Sequence, residues 1–171
     1  QMLILARQEA TLEPATRQLS SINALVSHAV QTQQGLAVQQ QIHLEAELSF
    51  DEPQLAVNAS SLEILLRNLI ENALKHTPAG GSVRIAVQNE AEAVVLRISD
   101  NGCGIDPVER ERVFGRFYRA ANNQHSGTGL GLAIVKSIAE QHHASIQLAD
   151  NLLEGQGLVV VVRIPKYINK I

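Results

Sequence analysis

The alternation of apolar and polar residues along the chain predicts a mixed α/β structure. Apolar residues recur at helical spacing within residues 1–41, in a segment that ends near His76, and in residues 128–142. Five shorter segments alternate or are continuously apolar, which is typical of strands. These predicted strands are residues 42–48, 82–89, 93–99, 145–149 and 158–164.

Capping and turn residues divide this pattern into elements. Pro14 interrupts residues 1–41, which are therefore predicted as two helices. Ser60 or Ser61 is the predicted cap of the helix that ends near His76. Further along, the residue types predict a helix stop at 77–81, a short helix at 106–113 and a polar loop at 119–126. The hairpins implied by neighbouring strands predict an antiparallel or mixed sheet, covered by helices on one face.

Composition and charge narrow the class of protein. The 171 residues suit one domain with a short appendage, and 45% are hydrophobic, which is enough for a substantial core. The net charge of −3 gives no general attraction to nucleic acid or to an acidic membrane surface. The single cysteine, Cys103, excludes an internal disulfide framework and fits a reducing compartment. No apolar stretch reaches the roughly 18 residues of a membrane span.

The first candidate site lies on the predicted helix that ends near His76. Asn68, Asn72 and Lys75 are spaced at i, i+4 and i+7, which places them on one helix face beside an apolar stripe. Amide oxygens suit hard cations such as Mg²⁺, and lysine binds phosphate as a point charge. The alternative is an amphipathic helix whose polar face happens to contain asparagine.

Two glycine-rich segments are candidate binding loops. The segment from Asp100 to Ile105 follows a predicted strand, and its glycines allow either an ordinary tight turn or the close approach of a ligand. The segment from Gly127 to Leu132 opens a predicted helix, where backbone N–H groups favour an anion such as phosphate. It matches neither a Walker loop nor the dinucleotide-binding pattern, and a flexible connector is the alternative.

Three of the five Phe and Tyr residues lie close together between these loops, at Phe114, Phe117 and Tyr118. Their clustering predicts a local anchor at the base of the polar loop. The neighbouring Arg116 and Arg119 either reach phosphates or are solvated.

In this order and spacing, the motifs resemble those of the GHKL nucleotide-binding superfamily, and most closely those of its sensor histidine kinases. Residues 68–77 resemble the N box, residues 100–105 the first glycine box, residues 114–118 the F box and residues 127–132 the second glycine box. The similarity extends from about residue 20 to residue 165. It implies a Bergerat fold, which is an α/β sandwich of a mixed, mainly antiparallel sheet and helices, and it implies ATP and Mg²⁺ as ligands.

The same resemblance implies roles for the matching residues. Asn72 would be the principal Mg²⁺ ligand and Asn68 would assist the metal and the phosphates, while Lys75 would contact phosphate. These three are the implied catalytic residues. His76 would lie beside the ribose or the phosphates, Asp100 would bind the adenine amino group, and residues 119–126 would form a lid over the triphosphate. The other implied cofactor-binding residues are Gly102, Gly104, Ile105, Phe117, Arg119, Gly127, Thr128, Gly129, Leu130, Gly131 and Leu132.

The resemblance also implies a domain organisation. Residues 1–19 look like the end of the second helix of a dimerisation and phosphoacceptor domain with its linker, residues 20–165 like the catalytic ATP-binding domain, and residues 166–171 like a tail. The chain begins at Gln1, and none of its six histidines has the neighbours of the phosphoacceptor motif. We therefore expect a soluble fragment that does not phosphorylate itself. Its parent would be a homodimer in the bacterial inner membrane with this domain cytoplasmic.

Three positions depart from the family pattern. Cys103 stands where proline or another small residue is common, and we interpret it as tolerated packing rather than a redox switch. His143-Ala144 replaces a more usual glycine-containing turn. Leu158 and Val159 occupy a strand start where many members carry Thr or Ser, which leaves the details of adenine contact open.

The residue four positions before the metal-binding asparagine bears on the reaction. Gyrase-type and mismatch-repair members resemble one another in carrying a glutamate there, and glutamate can act as general base for water. Here the residue is Asn68, which cannot take a proton near neutral pH. Glu71 is adjacent to Asn72 and turned about 100° from it around the helix. The sequence therefore predicts transfer to an external nucleophile and slow intrinsic hydrolysis.

The leading hypothesis is a protein-histidine kinase domain that transfers the γ-phosphate of ATP to a histidine in a dimerisation domain absent from this chain, for relay to a response regulator. An anti-sigma-type serine kinase is the first alternative, although such proteins lack the opening helix. A nucleotide-responsive binding module without transfer activity is the second.

Overall fold

The structure is a computed structural model that describes residues 17–115, 117–118, 129–152 and 155–166. Within these ranges the helices are α1 (Ile22–Gln39), α2 (Ala59–His76) and α3 (Gly131–Gln141). The strands are β1 (Gln18–Ser21), β2 (His43–Glu47), β3 (Gln54–Val57), β4 (Ser82–Asn89), β5 (Ala93–Asp100), β6 (Ser145–Asp150) and β7 (Leu158–Pro165).

Five strands form one sheet in the order β2-β4-β5-β7-β6. Pairing is antiparallel except between β2 and β4, which run parallel. β1 and β3 form a separate two-stranded antiparallel ribbon. The predicted mixed, mainly antiparallel sheet is confirmed.

The core lies between one face of this sheet and the helices. Val94, Leu96 and Ile98 alternate along β5 and point into the core, each at most 1% exposed. They belong to the same buried cluster as residues of all three helices, and the described cluster contains only Ile, Leu, Val and Ala. On the other face of the sheet Arg97 is exposed. Val95 on that second face is also buried, but it lies outside this cluster. The helices thus pack on the first face, and low aromatic content leaves the core aliphatic.

Helix α2 is the central element of the helical layer, since it contacts both α1 and α3. Its apolar stripe is buried as predicted, with Leu62, Leu65, Leu66, Leu69 and Ala73 at most 4% exposed. Each buried leucine contributes about 2 kcal/mol relative to exposure. The opposite side of the helix is thereby left for polar side chains.

The start of α2 corrects one prediction. The N-cap is Asn58, whose side chain accepts a hydrogen bond from the backbone N–H of Ser61 at 3.2 Å, and the helix begins at Ala59. The predicted caps Ser60 and Ser61 are therefore wrong, because the asparagine two residues earlier already satisfies a first-turn donor. The predicted end at His76 is confirmed.

The other differences between the predicted and the observed elements concern short segments and helix starts. β1 and β3, of four residues each, were not predicted, since β1 has no apolar alternation. Residues 106–113 do not form one helix but contribute to two 3₁₀ turns, Pro107–Glu109 and Arg112–Phe114, because so short a segment stabilises an α-helix poorly. Helix α3 begins at Gly131, after Gly129 and Leu130, which are not helical. The first predicted helix, in residues 1–13, lies outside the described residues.

Over the residues that the structure describes, no helix combines the length and the apolar character needed to span a lipid bilayer.

A buried histidine ties the end of α3 to the start of α2. His142 is 4% exposed, its Nδ1 lies 2.9 Å from the carbonyl oxygen of Ile138, and its Nε2 lies 3.2 Å from the backbone nitrogen of Asn58. Since Nε2 accepts the Asn58 N–H, the ring proton is on Nδ1 and is donated to Ile138. The ring is therefore neutral. Burial lowers the pKa of His142, the hydrogen bond to Ile138 acts in the raising direction, and the nearby Arg17 and His143 add to the lowering.

Acidification should therefore destabilise the domain through His142. Because its folded pKa lies below the ordinary value of 6.5, the unfolded chain binds more protons as the pH falls through that value. The free energy of unfolding, measured with urea between about pH 7.5 and 5.5, should decline on acidification, and His142→Asn should flatten the decline. His28→Asn, at an exposed position on α1, should keep the wild-type slope. Equal slopes in wild type and His142→Asn would contradict the neutral, bridging ring.

Candidate nucleotide-binding site

Strand β5 ends at a buried carboxylate. Asp100 is 5% exposed, and its Oδ1 accepts hydrogen bonds from the backbone N–H groups of Gly102 at 2.9 Å and Leu158 at 3.2 Å. Burial raises the pKa of Asp100, while the two backbone donors act in the lowering direction. Both donors hold the same oxygen, so the carboxylate is fixed in one orientation and Oδ2 is the oxygen left for a ligand donor.

The loop that follows Asp100 packs against the end of α2. A Cβ at Gly102 would lie 2.2 Å from the carbonyl oxygen of His76, which no side chain tolerates. Gly104 lies close to Gly157, with 3.1 Å between its would-be Cβ and the Gly157 carbonyl oxygen, and Ile105 packs against the hydrophobic core. The first glycine segment therefore joins the end of β5 to the helix that carries the candidate amides.

The predicted polar face of α2 is present. Asn68, Asn72, Lys75 and His76 are all half-buried, in contrast to the fully buried leucines. Asn68 donates from Nδ2 to the carbonyl oxygen of Ile64 at 2.7 Å, which fixes the orientation of the amide and leaves its Oδ1 to accept. The two carboxamides lie one helical turn apart on the same face.

Helix α3 begins beside this face. A Cβ placed on Gly131 would lie 3.4 Å from Oδ1 of Asn68, so the first residue of α3 is in close proximity to the amide. The N-cap Leu130 makes no side-chain capping bond, and Leu132 packs against the core. The N–H groups of the first turn are therefore near Asn68, and such groups favour an anion.

Glu71 does not share the amide face. Its Oε1 accepts a hydrogen bond from Nε2 of Gln33 on α1 at 3.3 Å, and Arg67 lies 3.9 Å away on α2 itself. The carboxylate is thus directed toward α1. This placement agrees with the predicted rotation between Glu71 and Asn72.

The aromatic cluster anchors the second glycine segment. The backbone N–H of Phe117 donates to the carbonyl oxygen of Gly129 at 3.0 Å, and a Cβ on Gly129 would lie 2.9 Å from the Phe117 backbone. Tyr118 donates its hydroxyl to Oε1 of Glu109 at 3.0 Å, and the Arg112 guanidinium lies 5.2 Å from the tyrosine ring centroid. Phe117 itself is 65% exposed. The contact with Gly129 is thus made by the backbone of Phe117, and the local anchor predicted from the aromatic side chains stays a prediction.

The described motifs are therefore brought together by direct contacts. Within the described residues, the first glycine segment touches the end of α2, and the first residue of α3 lies beside Asn68 of α2. Gly129 touches the backbone of the aromatic cluster. The predicted residues Arg119, Gly127 and Thr128, and the predicted lid 119–126, lie outside the described residues, as does Arg116.

The donors on α2 fit a magnesium ion bound together with phosphate. Mg²⁺ prefers oxygen ligands and is usually held by one or two protein groups plus substrate phosphates. Asn68 and Asn72 supply carboxamide oxygens of that kind, and the N-terminal end of α3 lies beside one of them. The chemistry of the donor set therefore matches the expected metal.

A separate groove of about 590 Å³ lies between α3 and β6, with Phe114, Ile146 and Leu148 among its lining residues. None of the predicted nucleotide-binding residues lines it. Charged residues of both signs also line this groove, among them Arg110 and Lys136, so its lining mixes charged and apolar groups.

Sequence reasoning missed two residues that hold Asp100. Asn151, which is 6% exposed, donates from Nδ2 to the carbonyl oxygen of Asp100 at 2.9 Å. The second residue is Gly157, where a Cβ would lie 1.9 Å from the same carbonyl oxygen. Both come from the β6–β7 connection, far from Asp100 in sequence, so no local motif indicated them.

A mixed sheet that ends in a buried carboxylate, beside a helix of amides and a glycine-opened helix, is typical of a nucleotide-binding α/β domain. Residues 57–168 match the model of the histidine kinase-, DNA gyrase B- and HSP90-like ATPases, and the chain belongs to this family.

The individual relatives that the chain resembles include sensor kinases. The chain is 41% identical over 169 residues to the sensor protein kinase PmrB of Pseudomonas aeruginosa PAO1. The aligned region covers 97% of this chain and 34% of that relative. The chain thus spans about a third of that relative's length. Among solved structures, a mycobacterial sensor histidine kinase, MprB, aligns with a TM-score of 0.74 at 27% identity, covering 87% of this chain and 97% of that one.

A third comparison concerns a nucleotide complex. Full-length ShkA in complex with AMPPNP aligns with a TM-score of 0.79 at 25% identity, covering 96% of this chain and 34% of that one. The resemblance to the sensor histidine kinases and the mixed-sheet fold predicted from the sequence are both confirmed.

The contact between Gly102 and α2 leads to a stability prediction. Gly102→Ala should lower the free energy of unfolding by about 1–3 kcal/mol, because the added methyl group forces the loop away from His76. Urea unfolding at neutral pH measures the change.

Gly35→Ala is the matched control, since no atom lies within 4 Å of a Cβ at that position on α1. It should raise the free energy of unfolding by about 0.5–1 kcal/mol through helix propensity. Equal stability of Gly102→Ala and wild type would refute the close approach.

Proposed function

We propose that this chain is the catalytic ATP-binding domain of a two-component sensor histidine kinase, and that it transfers the γ-phosphate of ATP to a histidine outside this chain. The observation that carries the proposal is the contact of the Asn68 amide on α2 with the glycine start of α3, on the same helix whose end touches the loop after Asp100. The sensor kinases among the relatives support the same conclusion.

Adenine recognition is assigned to Asp100. Its carboxylate accepts from two backbone donors through Oδ1, and Oδ2 is assigned to accept a hydrogen bond from the amino group of the base. Leu158, which replaces the more usual hydroxyl residue, is buried beside Asp100 and supplies only its backbone N–H. Base recognition in this protein therefore depends on the carboxylate without a neighbouring hydroxyl from residue 158.

Phosphate binding is assigned to α2 and to the start of α3. Asn72 is the principal Mg²⁺ ligand and Asn68 the assisting one, while Lys75 and His76 contact the phosphates or the ribose. Bound Mg²⁺ would neutralise charge on the phosphates. The N–H groups at the start of α3 face the same region and favour the anionic end of the nucleotide.

Transfer of the phosphoryl group, rather than hydrolysis, follows because neither of the two candidate side chains on α2 can serve as a base for water. Asn68 cannot accept a proton from water, and the Glu71 carboxylate is hydrogen-bonded on the α1 side of the helix. A neutral histidine nitrogen needs no such activation, because its lone pair is already nucleophilic. The domain's contribution is then to position the triphosphate and to stabilise its charge.

The partners follow from this role. The acceptor would be the protein's own dimerisation and phosphoacceptor domain, of which residues 1–19 are the end, with residues 20–165 as the catalytic domain and residues 166–171 as a tail. The parent would be a homodimer at the bacterial inner membrane, and the phosphate would pass on to a response regulator.

Loss of the metal ligand should separate nucleotide binding from its Mg²⁺ dependence. Asn72→Ala should bind ATP at least tenfold more weakly in the presence of Mg²⁺ and lose most of the difference between Mg²⁺ and EDTA, as expected when a ligand to a phosphate-bound cation is removed. Isothermal titration measures both affinities. Gln34→Ala, at an exposed position on α1, should bind as wild type does. Unchanged Mg²⁺ dependence in Asn72→Ala would refute the metal assignment.

The transfer reaction is tested with ATP labelled in the γ-phosphate. Incubated with a separately expressed phosphoacceptor domain, this chain should label a histidine, whereas on its own it should turn over ATP slowly. Label on serine would favour an anti-sigma-type serine kinase, and no label would favour a binding module. Rapid ATP hydrolysis without the acceptor domain would contradict the assigned chemistry.

A further inference from the structure

Asn151 is a buried polar residue that bonds to Asp100 and to Gly157. It directly follows β6 and is 6% exposed. Its side-chain amide donates to the carbonyl oxygen of Asp100 at 2.9 Å, across 51 residues of sequence. Its backbone N–H donates to the carbonyl oxygen of Gly157 at 3.1 Å. One residue therefore connects the end of β5 to the residue that precedes β7.

Gly157 and Leu158 complete this connection. A Cβ on Gly157 would lie 1.9 Å from the Asp100 carbonyl oxygen, so the β7 start lies directly against the end of β5. The next residue, Leu158, donates its N–H to Oδ1 of Asp100 at 3.2 Å. Asn151 thus holds both the backbone of Asp100 and the segment that delivers one of the two donors to its carboxylate.

We propose that Asn151 is a positioning residue that sets base specificity, by fixing the end of β5 so that Oδ2 of Asp100 faces the amino group of adenine. The inference rests on the proposed function, because it takes Asp100 as the adenine-binding residue. Asn151 itself does not touch the base.

The chemistry of the amide explains why asparagine serves here. A buried backbone carbonyl needs a donor, and the carboxamide supplies one without bringing a charge next to the Asp100 carboxylate. An ionised aspartate at residue 151 has nearly the same shape but only accepts, so it would repel the carbonyl oxygen and the carboxylate. Asn151→Asp therefore removes the contact at almost constant volume.

The test compares the binding of ADP and IDP to the whole chain. IDP carries a carbonyl oxygen where ADP carries the amino group, so a correctly placed Asp100 carboxylate should favour ADP. In Asn151→Asp the dissociation constant for ADP should rise at least tenfold while that for IDP changes less than threefold, which lowers the ADP preference. Leu152→Ala, next along the chain and exposed, is the control and should leave both constants unchanged. A merely structural role for Asn151 would weaken both nucleotides equally, and that result would overturn the inference.

Two further variants separate the possible failures. Asn151→Ser keeps a hydroxyl that is too short to reach the carbonyl oxygen. This variant adds no charge and should also lower the ADP preference. It replaces Asn151→Asp in the test if that variant does not fold. Asp100→Asn should abolish the ADP preference. If Asp100→Asn leaves the preference intact, the adenine assignment itself fails. If Asp100→Asn abolishes it but both Asn151 variants keep the wild-type ratio, only the positioning role fails.

Discussion

Close approach of backbone segments that glycine alone permits determines how this site is assembled. Gly102 brings the loop after β5 onto the carbonyl oxygen of His76, and Gly157 brings the start of β7 onto the carbonyl oxygen of Asp100. A methyl group at either position would overlap a backbone oxygen, and backbone cannot move aside as a flexible side chain can. The separation between the Asp100 carboxylate and the α2 amides is therefore set by main-chain contacts.

The one-sided sheet supplies the rigid support for those contacts. Aliphatic side chains on the inner face of β5 pack against α2, so the strand that ends in Asp100 and the helix that carries Asn72 share one buried cluster. Tightly packed interiors transmit displacements because they contain few voids. A shift of α2 would thus also displace the end of β5 that carries the carboxylate. The His142 bridge adds α3 to the same unit, since it holds the end of α3 against the cap residue of α2.

Sequence predicted the parts of this arrangement that depend on local chemistry, and missed those that depend on distant contacts. The apolar stripe and polar face of α2 follow from helical spacing, and its end at His76 follows from the turn residues after it. The structure confirms these features. The ribbon of β1 and β3 was missed because four residues carry too little pattern, and its strands are stabilised by pairing with each other. Asn151 was missed for a related reason, because an asparagine after a strand is typical of a turn and its partner lies 51 residues away.

The placement of Glu71 links the fold to the reaction. Glu71 adjoins Asn72, the proposed metal ligand, so in sequence it looks like a candidate base for water. Only the direction of its side chain decides between hydrolysis and the proposed transfer. Its hydrogen bond to Gln33, a residue 8% exposed on α1, directs the carboxylate toward the helix layer and away from the amide face. Water at the γ-phosphate would then find no carboxylate from α2 to take its proton. In the proposed reaction, a histidine from another domain would bring its own lone pair, so the direction of Glu71 would disfavour hydrolysis without hindering transfer.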